Sequence, residues 1–150
     1  MFRAVTVFDD ESLRRKGYDK IVVSLFDHWL SDVEYAACRR LSFDMAVQAG
    51  LRDHYEREEQ RFLTFYGAAF AAGVYCAGDG PLTWRPSWNA DLIGVVRDSL
   101  RERRLMDVYV PALRIRVMGG YDRTDLLLLD RYARRDDILQ LIRSSGLFAL

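Results

Sequence analysis

From residue 18 to residue 77 the chain carries apolar side chains at helical spacing and almost nothing to connect one helix with the next. Tyr18, Ile21, Val22, Leu25, Phe26, Trp29 and Leu30 recur at intervals of three and four, which predicts one buried helical stripe. Ser31 followed by Glu34 has the form of a capping box, in which the hydroxyl accepts from an early backbone N–H and the carboxylate reaches back. It predicts a second helix to about Ala49, with Val33, Ala37, Cys38, Leu41 and Met45 inward and Gly50 at its end. A third pattern through Tyr55, Phe62, Phe65, Tyr66, Ala69, Phe70, Gly73 and Val74 predicts helix from Leu51 to about Ala77. Helices joined this closely are expected to pack antiparallel.

The flanking patterns differ. Residues 2–8 read as a first strand, and Asp9 or Asp10 as the cap of a short helix through Lys16 closed by Gly17. Residues 78–89 hold two Gly, two Pro, an Asp and an Asn, which predicts a loop. Helix is expected over 90–106, with Leu92, Val95, Val96 and Leu100 inward. Beyond it Leu113, Ile115 and Val117 alternate with Arg114 and Arg116, the rhythm of a half-buried strand, and Gly119-Gly120 turns the chain. Residues 126–129, Leu126 to Leu129, return as its partner or open a helix, because a short apolar block satisfies either period. Asp136 or Asp137 opens a closing helix with Ile138, Leu141 and Ile142 inside and Gly146 at its end. The apolar tail Leu147, Phe148, Ala149 and Leu150 is expected to add a strand edge, fill a groove, or meet a second copy of the chain as a homodimer contact. The expected fold is therefore a single helix-rich α+β domain over 1–150. It has an N-terminal antiparallel helical cluster and a small antiparallel β-hairpin or sheet in the C-terminal third, with an all-α fold as the alternative.

Composition bounds the function. Half of the 150 residues are apolar and 13% aromatic, which excludes a disordered chain, and this length buries a core without a disulfide or metal staple. The 22 basic and 22 acidic residues cancel, unlike the basic footprint that supplies most non-specific nucleic-acid affinity. The uncharged run 62–78 is diluted by Gly and Ala and reads as a packed helix rather than a membrane span. No secretory signal opens the chain, and Cys38 and Cys76 read as small buried residues in a reducing compartment, so a cytoplasmic location is expected.

Chemistry-bearing patterns are few. His54 and Glu58, at i and i+4, share one helical face. Completed by His28, they would form three ligands with an open position for water, as a small metal-assisted hydrolase requires. The competing reading of the same stretch is a solvated face of ion pairs. No GxSxG elbow and no phosphate-cradling glycine loop occurs, so no cofactor and no resident metal is implied. Tyr121, Asp122, Arg123 and Asp125 decorate the turn after Gly119-Gly120, as hairpin punctuation or as a ligand-facing tip. Arg97, Arg101 and Arg104 fall on one face of the 97–104 helix and could track phosphates, which defines a nucleic-acid accessory factor as another alternative. Asp98, Glu102 and Asp107 interleave them.

The strongest feature is Trp84 and Trp88 flanking Arg85 and Pro86 inside the 78–89 loop. Trp and Arg dominate interface hot spots because each offers a large contact area with a polar handle. The indoles either stand out to meet a partner or fold back to seal the core. The function expected is a small non-catalytic cytoplasmic binding module, an adaptor, inhibitor or immunity-like protein, that recognises a protein partner through Trp84, Arg85 and Trp88.

Overall fold

In a computed structural model of the chain, which describes residues 10–78 and 80–150, seven strands form one antiparallel sheet in the order β3-β2-β4-β5-β6-β1-β7. The elements are α1 (Asp10–Arg15), β1 (Tyr18–Ser24), α2 (Asp32–Ala37), α3 (Phe43–Gln48), α4 (Arg52–Ala69), β2 (Val74–Cys76), β3 (Thr83–Arg85), α5 (Ala90–Leu100), β4 (Asp107–Val110), β5 (Ile115–Gly119), β6 (Thr124–Asp130), α6 (Arg135–Ser144) and β7 (Phe148–Ala149). The mixed α+β class holds, but the expected helical cluster with a small hairpin is corrected to a sheet spanning the molecule, and the all-α alternative falls with it. The strand expected at 2–8 lies outside the described residues.

The central correction is β1, where the stripe 18–30 predicted a helix. Ile21, Val22 and Val23 form a β-branched run, which favours extended backbone. Ile21, Val23 and Leu25 enter the main core, while Tyr18 packs with the Leu13–Leu128 cluster on the opposite face. A strand apolar on both faces loses plain alternation, and its residues then also satisfy helical spacing. Full pairing with β6, from Tyr18 opposite Asp130 to Ser24 opposite Thr124, decides the matter.

The second expected helix is two short ones. The capping box forms at Ser31 and Glu34, but Cys38 leaves the helical region at φ −75°, ψ 114°, and Ser42 caps α3 by accepting from the Met45 N–H. The third helix ends at Ala69 instead of Ala77, because Gly73 takes φ +89° and turns the chain into β2. A Cβ there would stand 2.4 Å from the Trp84 ring, so both conformation and space require glycine. Residues 78–89 contain β3, paired with β2, and α5 stops at Leu100 rather than Met106, after which 107–110 forms β4 with Val108 and Val110 inward. The α1 helix, the β5–β6 hairpin, α6 and the tail follow the sequence: Leu147 is buried and β7 extends the sheet beside β1.

The core lies between one sheet face and α4, α5 and α6. Phe62, Phe65, Tyr66 and Phe70 of α4, Leu92 and Val96 of α5, and Ile138 and Ile142 of α6 meet Val108, Val117 and Leu127 of the sheet. On the far face α1 covers only the centre, where Leu13 packs on Leu128. Among the described residues nothing covers the β2–β3 end of that face, where Tyr75 and Trp84 are exposed.

Candidate functional site

Cross-strand register builds an aromatic row at the open end. Trp84 of β3 stands opposite Tyr75 of β2, and Tyr75 opposite Tyr109 of β4, so the three rings share the face away from α4. Tyr75 and Trp84 lie with centroids 4.8 Å apart at 52°, and the Trp84 ring is seated over Gly73. Tyr75, Leu82 and Trp84 are 37%, 42% and 44% exposed, a concentration of apolar surface on one small hairpin. Among the described residues β3 is a terminal strand of the sheet, paired on one side only, which leaves a row of backbone groups for another chain.

The predicted trio separates. Trp84 faces solvent as described. Trp88 is half-buried, its ring 6.1 Å from Phe70 in edge-on contact and its indole nitrogen 3.2 Å from where a Gly67 Cβ would stand, so it seals the core between α4 and α5. Arg85 faces the other way from Trp84, into a cleft of about 530 Å³ that Thr83 lines from the same strand and Asp91, Gly94 and Asp98 from α5. Its Nε is buried and has no hydrogen-bond partner among the described residues, and Asp91 stands 3.9 Å from its Nη1. An unmet buried donor costs about 1–3 kcal/mol, so a guanidinium paired only at long range with Asp91 keeps one buried N–H unmet. Half-buried Cys76 also lines it, its thiol pushed up by burial and drawn back by Arg85.

The histidines belong to separate clusters. His54 Nε2 is 3.0 Å from Glu58 Oε1 on α4, and His28 bridges Asp27 at 2.6 Å and Glu34 at 3.0 Å beside α2. Those hydrogen bonds, Asp27 first, raise the His28 pKa, while the Ser31 backbone holds Glu34 down at about 2. Among the described residues no group of three or more His, Cys, Asp or Glu side chains is placed to hold a metal ion. Glu58 serves another purpose. Its carboxylate accepts from Arg40 Nε at 3.2 and 3.3 Å and lies 3.5 Å from Nη1 of Arg123, whose guanidinium is buried 3.8 Å over the Tyr55 ring. Desolvation pulls Arg123 below its usual pKa, and its Nε and Nη2 lack partners among the described residues. Arg123 and Asp122 both take left-handed backbone, φ +64° and +57°, so the hairpin tip points a charge inward instead of outward.

The arginine face is likewise occupied. Arg101 donates to Glu59 at 2.7 and 2.9 Å, Arg97 lies 3.4 Å from the same carboxylate, Arg103 pairs with Asp98 at 3.6 Å, and Arg104 lines the cleft. Helix α4 therefore meets α5 through ion pairs rather than leaving a free positive stripe for phosphates.

A second exposed group lies around α2, none of whose residues is buried. Trp29 is 65% and Val33 79% exposed, and Trp29 and Tyr35 line an apolar pocket of about 160 Å³. Sequence reasoning missed Tyr75 and Leu82, since residue 75 fell inside an expected helix; the strand-forming triplet Val74-Tyr75-Cys76 after Gly73 was the available signal. No helix of the described residues is long and apolar enough to cross a membrane. Comparison of the chain with family models, curated proteins and solved structures gives no match.

Proposed function

We propose that the chain is a small non-catalytic binding module of the adaptor, inhibitor or immunity type, which recognises a protein partner through the β2–β3 hairpin. The observation that carries this reading is the Tyr75–Trp84 stack on a strand that, among the described residues, lacks a neighbour on one side. Strand addition to such an edge supplies main-chain hydrogen bonds, and the aromatic platform beside it supplies the buried area that dominates interface energy. The reading moves the contact from Trp84, Arg85 and Trp88 to Tyr75, Leu82, Trp84 and Arg85. Trp88 remains with the core. Cys38 and Cys76 are free thiols, which suits a cytoplasmic setting. A homodimer through the tail would use Phe148, exposed on the β7 edge at the other end of the sheet.

The test is capture of the partner from the native host with the wild-type chain, the Tyr75→Ala/Trp84→Ala pair, and Trp29→Ala as the α2 control. The expected result is a complex lost with the hairpin pair and retained with Trp29→Ala. A complex that survives the hairpin pair overturns the reading.

A further inference from the structure

Alternate residues of β3 face two different environments, and this defines the chemistry of a strand that would pair with it. Trp84 faces the open aromatic side, whereas Thr83 and Arg85 line the cleft beneath α5. We infer that the partner segment is extended and acidic, adding to β3 and setting a Glu or Asp carboxylate into the cleft against Arg85; this rests on the edge-strand reading above. The Arg85 guanidinium enters the cleft with its Nε unmet and its side chain 39% exposed, so the Nη groups are open to an incoming acceptor. Among the described residues, two of the three carboxylates lining the cleft are engaged by other arginines, and the third, Asp91, pairs with Arg85 only at long range. Asp107 is held by Arg116 through bonds of 2.7 Å to each of its oxygens, Asp98 pairs with Arg103 at 3.6 Å, and Asp91 stays at 3.9 Å from Arg85. Space is also provided: a Cβ added at Gly94, midway along the α5 wall, would meet nothing within 4 Å. A planar guanidinium in a partly desolvated cleft prefers the two-oxygen geometry of a carboxylate over a neutral amide. On the other face of the added strand, apolar side chains would cover Trp84 and Tyr75.

The experiment uses fluorescein-labelled extended peptides that alternate Val or Thr with Glu, and the same peptides with Gln or Lys in place of Glu, titrated with the full chain and followed by anisotropy. The Glu peptide should bind about tenfold tighter than the Gln peptide, the change expected for one charge-assisted pair, and the Lys peptide weaker still. Arg85→Gln should remove that preference, so that the Glu and Gln peptides bind alike. Gly94→Leu, whose Cβ would meet nothing within 4 Å and whose side chain would enter the cleft, should remove it too in a fully folded protein. Equal binding of Glu and Gln peptides, or a preference that survives Arg85→Gln, overturns the proposal. Displacement of the Glu peptide by free glutarate at comparable concentration also overturns it, because the site would then serve a small carboxylate. If both peptides bind equally and Trp84→Ala abolishes both, the edge-strand reading stands while the acidic preference falls. If no peptide binds, both fall.

Discussion

Replacing Asp125 by asparagine should change how stability depends on pH, by an amount the structure sets. Asp125 sits on β6 fully enclosed, accepting from the Tyr66 hydroxyl and from the Gly120 N–H at 3.0 Å. Burial pushes its carboxyl up from 3.8 to about 6, against the opposing pull of those two hydrogen bonds and of Arg123. A carboxyl whose folded pKa lies above its unfolded value stabilises fully below the unfolded value and loses that contribution as pH rises through the folded one. The window therefore runs from about pH 4 to about pH 6, and the ionised side chain costs the fold roughly 3 kcal/mol at pH 8 relative to acid. Asparagine keeps one oxygen to accept from the Gly120 N–H, turns its amide N–H toward the Tyr66 hydroxyl oxygen, which can accept it, and does not titrate, so any cost of that exchange is the same at every pH. Urea denaturation of both proteins, followed by circular dichroism, should show the variant gaining roughly 2.5 kcal/mol over the wild type between pH 4 and pH 8. Effects of carboxylates with lowered pKa, such as Glu34 and Asp130, cancel in that difference. A difference that stays flat with pH, or falls, refutes the reasoning.

Glu58→Gln leaves Arg40 and the buried Arg123 without their carboxylate and should cost roughly 3–5 kcal/mol in chemical denaturation, whereas His54→Gln, at the half-exposed end of the cluster, should cost less than about 1 kcal/mol. Gly73→Ala forces a Cβ onto Trp84 at positive φ and should destabilise by more than about 1 kcal/mol. Adding Trp84→Ala should recover part of that loss, measured as a non-additive double-mutant cycle. Ser31→Ala removes the cap of a helix with no buried residue, so amide exchange should quicken over residues 32–37 while global stability falls by no more than about 1 kcal/mol.

Local chemistry was legible wherever the signal and the structure share the same few residues. The Ser31–Glu34 box, the turn between β5 and β6, the Ile138–Ile142 face and the tail all formed as expected. The sheet was not, because its middle strands are apolar on both faces: Ile21, Val22 and Leu25 fit a helical stripe as well as a strand until β6 is placed beside them. The same holds for Val74-Tyr75-Cys76, three residues whose extended form depends on pairing with Thr83–Arg85 and with β4. The exposure of Trp84 was one of the two arrangements its loop composition allowed. The separation of Trp84 from Trp88 was not legible, since it follows from Gly67 and Phe70 receiving one indole and Gly73 the other. The burial of Arg123 beneath Tyr55 likewise needs two elements distant in sequence to meet.

Amide hydrogen exchange in the complex recovered from the native host tests the central claim most directly. Strand addition predicts slowed exchange across Thr83–Arg85, with α2 exchanging as it does in the free chain. Unchanged exchange in β3 with new protection over α2 and Trp29 would place the partner at the β1–β7 end of the sheet and contradict the account.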